Sequence, residues 1–313
     1  MSGNPLVSVI CPAYNCAPFI AAALDSVFAQ SYRPIEVIVV DDGSTDATPE
    51  LIKTYPEVRY LRQANRGPSA ARNSAIRAAQ GDLVAFLDVD DLWTAEKLTE
   101  QIAALQSHPQ AGLCFADMRL FSDGGADEPT MFQKYRLNAE FFGHPRVVDR
   151  ALAKLVTMNF IPTSSVLARR AALLQAGGFD EQFRKAEDWD LWLRIALDRP
   201  IIYSAKLLTL KRVHEVNTSR DAEGMNVAAL QVLEKFQRDH QARLPKLGID
   251  MPRVLRDGYR NLGYFYLRQI ALAEARQALS RSLALGFQPR ALVYFLSTFL
   301  GRGVVGSWVR ARG

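Results

Sequence analysis

Three carboxylates, Asp88, Asp90 and Asp91, follow at once on the apolar run Leu83–Leu87 in the stretch FLDVDD. Neighbouring like charges repel and each resists leaving water, so folding alone gains nothing from this crowding. The expected counterpart is a positive ligand. A hard divalent cation such as Mg2+ or Mn2+ takes oxygen ligands, and one or two carboxylates plus phosphate oxygens and waters complete its octahedron. Asp88 and Asp90, separated by Val89, face the same way in an extended chain. An ion bridging them to a diphosphate would stabilise the charge on that diphosphate as it departs. The bland alternative, acids decorating the approach to a helix N-terminus, is also electrostatically sound. A second acidic cluster, EDWD at 187–190, could supply a carboxylate that accepts a proton from an attacking hydroxyl. On spacing alone, an acidic first turn of a helix is the commoner reading.

The elements that must position these acids are legible around them. Apolar runs alternate with helical patterns through the first hundred residues: Val7–Cys11 then a helix near Pro18–Ala29, and Ile35–Val40 then a helix near Thr48–Thr54 with Pro49 early in it. Val58–Leu61 precedes Ser69–Ala79, with Gly81 as the expected C-cap, and Leu83–Leu87 leads past the acids to Thr94–Gln106, with Thr94 as the expected N-cap. Strands apolar on both faces that alternate with helices imply an α/β architecture with a mostly parallel sheet covered on both sides. Ligands of such sheets bind at the carboxyl ends of the strands. Pro12-Ala13-Tyr14-Asn15, Asp41-Asp42-Gly43-Ser44 and the acidic stretch all fall at such ends. Their convergence on one rim favours the metal reading of FLDVDD over the bland one.

The middle of the chain is less regular, with short apolar runs at Gly112–Ala116, Ser164–Ala168, Ile201–Ser204 and Leu207–Val213 and a polar loop near Ser122–Arg136. One clear amphipathic helix is expected at Glu187–Leu197, where Trp189, Trp192, Leu193 and Ala196 recur at helical spacing. From about residue 225 the pattern is helical. There Tyr259, Leu262, Gly263 and Tyr266, continued by Ala275 and Leu279, match one tetratricopeptide-like hairpin, with Pro289 two residues late. Such a unit needs a neighbour to bury its face, so it should pack on the preceding helix or on the first domain.

Composition bounds the rest. The 313 residues are 49% hydrophobic and 23% charged, which suits an ordinary globular protein of one large domain or one domain with an appendage. A net charge of +5 without any long Lys/Arg block gives a mild bias towards anionic ligands and argues against a nucleic-acid partner. Three cysteines, Cys11, Cys16 and Cys114, lack zinc or redox spacing, so a disulfide framework is not expected. The start of the chain reads as a first strand, and no stretch reaches the roughly 18 apolar residues of a membrane span. The expectation is a cytoplasmic protein, at most peripheral on the cytoplasmic membrane face. A peripheral contact would come from the C-terminus, where apolar residues mix with Arg290, Arg302, Arg310 and Arg312. A last helix docked on the hairpin is the alternative.

VSVICPAYN, IEVIVVDDGSTD, RGPSAARNSAI, GDLVAFLDVDDLW and EDWDLWLR, in that order, resemble the family 2 glycosyltransferases, inverting enzymes of the GT-A fold. The resemblance implies a GT-A catalytic domain over 1–220, followed by an α-helical extension over 221–313. Carried over by motif, it implies that Tyr14, with Pro12 beside it, flanks or stacks on the nucleotide base. Asp41 would accept a hydrogen bond from the base and Arg72 would assist base or phosphate binding. Asp88 and Asp90 resemble the DxD motif, which contacts ribose and metal, with Asp90 or Asp91 as the ligand of Mn2+ or Mg2+. Asp188 matches the family's catalytic base. His214, in KRVHEVNTS, is a candidate metal or phosphate contact, though a lone histidine is as readily structural. The family's processive Q-x-x-R-W signature is missing, which favours single transfer. The implied reaction moves a sugar from a nucleotide-diphosphate donor, UDP being the commonest, to a hydroxyl of a glycan or lipid-linked glycan.

Three rival readings use the same sheet. A nicotinamide-dependent oxidoreductase needs a glycine-rich turn after the first strand, and Pro12–Cys16 is not one. A sugar-nucleotide nucleotidyltransferase shares the metal logic but lacks a glycine-rich, lysine-containing phosphate loop near the start. A non-catalytic interaction protein built on the helical tail would leave Asp188 and the acidic cluster without purpose.

Overall fold

The computed structural model describes residues 4–122, 128–214, 221–300 and 305. Its sheet contains β1 (Val7–Ala13), β2 (Ile35–Asp41), β3 (Val58–Arg62), β4 (Leu83–Phe86), β5 (Leu92–Trp93), β6 (Leu113–Phe121), β7 (Leu167–Arg169) and β8 (Ile201–Arg212). The strand order is β3-β2-β1-β4-β7-β6-β8-β5. The first four strands and the β6/β8 pair are parallel, whereas β7 runs antiparallel to β4 and β6, and β5 antiparallel to β8. This is the mostly parallel GT-A-type sheet with flanking helices. All four residues of β4 are buried, as the unbroken apolar run requires of a strand covered on both faces.

Helices return the chain between strands: α1 (Ile20–Phe28), α2 (Thr48–Ile52), α3 (Pro68–Ala78) and α4 (Lys97–Ser107), then the shorter α5 (Met131–Lys134), α6 (Ala139–Phe142), α7 (Ala151–Leu155) and α8 (Arg170–Gln175), and α9 (Glu187–Ala196). α1 buries Ile20, Ala23, Leu24 and Val27, the i, i+3, i+4, i+7 stripe of a helix lying on a sheet. Each fully buried Ile or Leu of that stripe contributes about 1.5–3 kcal/mol. α9 is anchored by Trp192, fully buried against Phe86 of β4 and Phe179.

Four local expectations are corrected. Asp88–Asp91 is a turn, closed by Asp91 N–H donating to the Asp88 carbonyl at 2.9 Å, so Asp88 and Asp90 do not share one face of an extended chain. Thr94 does not cap α4, which begins at Lys97 without a side-chain cap. Gly81 is not the C-cap of α3. Its backbone passes close to β1, where a Cβ would lie 2.6 Å from the Leu6 carbonyl oxygen, and its N–H donates to Ser8 Oγ. Finally, the runs 201–204 and 207–213 are essentially one strand, β8, which bulges against β6 near Asp117. All three cysteines are free and buried, and burial raises their thiol pKa values. Residues 123–127 of the polar loop lie outside the described residues.

The chain divides into two compact units, Met1–Arg220 and Asp221–Gly313. The second is helical, with α10 (Ala222–His240), α11 (Met251–Arg268), α12 (Leu272–Ala284) and α13 (Pro289–Ser297). Asp221 and Asp250 cap α10 and α11 through Gly224 N–H and Arg253 N–H. Tyr259, Leu262, Gly263 and Tyr266 of α11 and Ala275 and Leu279 of α12 all point inward. At Gly263 a Cβ would lie 2.4 Å from Leu279 Cγ, so only glycine allows the two helices this close an approach. The hairpin packs on α10, where the Tyr259 hydroxyl donates to Glu234 and the Tyr266 hydroxyl donates to Glu223. Pro289 opens α13 at a position where its missing N–H costs nothing. Among the described residues no helix is long and apolar enough to cross a membrane, and Arg302, Arg310 and Arg312 lie outside them.

Candidate active site

Because β2, β1 and β4 are parallel neighbours, their carboxyl ends lie along one edge of the sheet. Tyr14, just beyond β1, is 52% exposed, and Pro12 is half-buried within the strand. Asn15 holds a left-handed backbone (φ 46°), a conformation that asparagine tolerates better than most residues. Its N–H donates to Ser44 Oγ and its side-chain oxygen accepts from Thr45 N–H, tying the β1 loop to the β2 loop.

Asp41, at the end of β2, is fully buried. It accepts hydrogen bonds from Ser44 N–H at 2.8 Å and the Tyr60 hydroxyl at 2.7 Å, and Arg62 lies 3.5 Å away. Burial opposes its charge, but these donors and the guanidinium outweigh it and hold the carboxyl below its usual range. Asp42 accepts from Gln63, from Arg66 N–H and from Gly67 N–H, which fixes the loop that leads into α3.

The turn after β4 sends its three acids to different partners. Asp88 Oδ1 accepts from Arg72 Nη2 at 2.6 Å. Asp90 Oδ2 lies 3.0 Å from His214 Nε2, and the His214 ring stacks on Phe19 with centroids 4.8 Å apart. Asp91 is only 3% exposed and accepts from Arg212 N–H. Burial, then Asp90 and Asp88, push its carboxyl well above the ordinary range. Asp90 and His214 are partly exposed, with side chains 26% and 21% exposed, and Asp88, at 31%, is open as well but is held by Arg72. A carboxylate oxygen and an imidazole nitrogen 3 Å apart fit two neighbouring positions of a Mn2+ or Mg2+ octahedron, whose remaining positions would fall to water and phosphate. Among the described residues no cluster of three or more His, Cys, Asp or Glu side chains forms a metal cage. Residues 215–219 of KRVHEVNTS lie outside the described residues.

Asp188 sits in the first turn of α9, after Ala186 in a left-handed conformation. Its carboxylate accepts from Asn159 Nδ2 at 3.2 Å, Thr163 Oγ1 at 3.0 Å and its neighbour Trp189 N–H at 2.6 Å. Burial, and then the adjacent Glu187, push its pKa up to about 6 against the pull of Arg72 and Thr163. A carboxylate poised there is suited to taking a proton near neutral pH.

Arg72 connects these parts. On α3, with only 5% of its side chain exposed, it donates to Asp88 at 2.6 Å and to Glu187 at 2.7 Å, joining the acidic turn to α9. The attraction of the two carboxylates outweighs its burial and raises its pKa further. In this structure Arg72 is therefore a bridge within the site. A second connection is the turn Thr163–Ser165: Thr163 holds Asp188, and Ser164 Oγ accepts from Asp88 N–H at 3.1 Å. Trp93 Nε1 and Gln101 Nε2 clamp that turn from below by donating to the Ser164 and Ser165 carbonyls. Sequence reasoning missed Asn159, Thr163 and Ser164, since NFIPTSS carries neither charge nor spacing that marks it, and Phe19, one apolar residue among many at the start of the first helix. Glu187 was in view as part of EDWD, but its partner on α3, 115 residues away, was not.

The family model for glycosyl transferase family 2 matches residues 8–173. An uncharacterized glycosyltransferase of Nostoc sp. is 30% identical, covering 94% of this chain and 94% of its own. The fold is similar to S. aureus TarS 1-349 in complex with UDP-GlcNAc, at 21% identity and TM-score 0.67 over 97% of this chain and 92% of that one. It is also similar to a mannosyltransferase from Pyrobaculum calidifontis in complex with GDP-Man and Mn2+, at 24% identity and TM-score 0.62 over 99% of this chain and 85% of that one. These matches set aside the nucleotidyltransferase and the non-catalytic scaffold. The poised carboxylate on α9, the acidic turn beyond β4 and the match across more than half of the sequence lead to one conclusion: the chain belongs to glycosyl transferase family 2 and is a glycosyltransferase.

Proposed function

We propose that the protein is an inverting, non-processive transferase that moves one sugar from a nucleoside-diphosphate donor, UDP being the first choice, to a hydroxyl of a glycan or lipid-linked glycan. The observation that carries this reading is the Arg72 bridge, which joins the base-bearing turn of α9 to the acidic turn through Glu187 and Asp88. The exposed Tyr14 ring offers a face to the base, and the loops fixed by Asp41 and Asp42 shape the ground beside it. Asp188 takes the proton of the acceptor hydroxyl as that oxygen bonds to the anomeric carbon. The bond from this carbon to the diphosphate oxygen breaks, its electron pair leaves with the nucleoside diphosphate, and the configuration inverts. Asp90 and His214 would hold a divalent cation, which supplies positive charge for the diphosphate. Asp91, buried and accepting from Arg212 N–H, is assigned to the architecture of the turn.

Asp188→Asn tests the assignment. Turnover should fall by about 10²–10⁴-fold, the usual contribution of a positioned general base, with nucleotide affinity nearly unchanged. Loss of both in equal measure would sink it.

A further inference from the structure

Beneath the turn that carries Thr163 and Ser164 lies a lysine that folding alone does not ask for. Lys97, the first residue of α4, is fully buried. A cation is better placed in the last turn of a helix than in the first, and an amine is costly to take out of water without a carboxylate beside it. Burial lowers its pKa to about 7, and the titratable group that faces it is the Cys114 thiol of β6. Among the described residues its one hydrogen-bond acceptor is the Gln101 side-chain oxygen, 2.7 Å away and one turn along the helix.

Each contact of this amine leads to the turn. Gln101, fully buried too, donates through Nε2 to the Ser165 carbonyl at 2.8 Å and to the Cys114 carbonyl at 3.0 Å. A glutamine amide has a donor end and an acceptor end, and an amine against Oε1 fixes which of them meets the two carbonyls. The Lys97 nitrogen also lies 4.2 Å over the Trp93 ring, whose N–H donates to the Ser164 carbonyl at 2.8 Å. Thr163 and Ser164 in turn hold the Asp188 carboxylate and the Asp88 amide. We propose that Lys97 is a positioning residue for sugar transfer: through Gln101 and Trp93 it fixes the Thr163–Ser165 turn and so keeps Thr163 Oγ1 aimed at Asp188. This rests on the reading of Asp188 as the base and adds to it the group that holds the base in place.

Lys97→Met keeps an unbranched chain of similar length and deletes the amine. Gln101 then loses its orienting partner and the Thr163 hydrogen bond slackens, while Glu187 and Arg72, the charged groups that face Asp188, stay. A carboxylate held less well has a higher pKa. The test follows the Asp188 carboxyl carbon by NMR against pH in the full chain with labelled aspartate, assigned by its absence from Asp188→Asn, together with kcat/KM. Lys97→Met should move both midpoints up by about one pH unit, which makes turnover about tenfold slower on the acid limb and nearly unchanged on the alkaline plateau. In a Thr163→Val background the same substitution should add almost nothing, because the contact it acts through is gone. Gln101→Met, which removes the acceptor of the amine, should reproduce the shift and takes over if Lys97→Met does not fold. An unmoved carboxyl midpoint in either variant, or an equal shift with and without Thr163, would overturn the inference. A carboxyl midpoint that moves while the rate profile stays put would instead refute Asp188 as the base and leave its support by Lys97 standing.

Discussion

If Asp188 is the base, its titration should govern the rate, and the hydrogen bond from Thr163 gives a way to move it. The carboxyl sits at about 6, raised by burial and Glu187. Only the ionised form accepts a proton, so kcat/KM should rise about tenfold per pH unit below that value and level off above it. Thr163 Oγ1 donates to Asp188 Oδ2 at 3.0 Å. Thr163→Val keeps the branched shape and deletes the donor. The carboxylate loses a partner that the protonated acid did not need, so the pKa must go up and not down. A hydrogen bond to an ionised group is worth ~1.5–3 kcal/mol, which at 1.36 kcal/mol per unit corresponds to a shift of ~1–2 units. The assay is release of nucleoside diphosphate in the presence of acceptor, measured across roughly pH 5 to 9, where a general base of this kind titrates. The variant should be ~5- to 50-fold slower near pH 6 and recover towards the wild-type plateau in alkali. An inflection that stays put or moves to lower pH would refute the reasoning, as would a loss of equal size at every pH.

Two further outcomes follow from the partners of the acids. Arg72→Met strands Asp88 and Glu187 without their shared cation; it should destabilise the fold by on the order of 3 kcal/mol in urea unfolding, with Arg72→Lys a poor rescue because one ammonium cannot reproduce the forked contact. A change in unfolding midpoint no larger than that of a surface substitution would show that the bridge is dispensable. Asp90→Ala and His214→Ala should each weaken Mn2+-dependent donor binding in calorimetry, whereas Asp91→Asn, which can still accept from Arg212 N–H, should leave it nearly unchanged. Full activity of the parent enzyme in chelator, or a larger effect at Asp91 than at Asp90, would overturn the metal assignment.

β1, β2 and β4 were legible because both faces of each are largely buried, and continuous apolar runs are what such burial requires; β3, at the sheet edge, is only half-buried, and the two-residue β5 left no signal. The acidic rim was legible because unpaired carboxylates are costly wherever a chain does not use them. The division of labour among Asp88, Asp90 and Asp91 was not, because a tight turn separates side chains that an extended chain would align, and only folding brings Arg72, His214 and Arg212 to them. Thr163 and Ser164 escaped for a related reason. Hydroxyls near a proline carry no periodic or charge signal, and their role depends on contacts with residues 25 and 76 positions away. In the tail, the small residue Gly263 marked the helix crossing because close approach leaves a trace in composition.

The bulge in β8 has a consequence for how the site can vary. Ala116 faces Ser204 but Met118 faces Thr209, so β8 advances five residues where β6 advances two. Those three surplus residues work as slack. A strand turns each side chain over with every single-residue slip, so the stretch that leads to His214 must keep its pairing if the ring is to stay beside Asp90. That pairing is fixed beyond the bulge, by β6 on one side, by β5 on the other and by Asp91 accepting from Arg212 N–H. A deletion within the bulge can therefore be taken up there, whereas one between Thr209 and His214 would swing the ring away from Asp90 although neither partner had been touched.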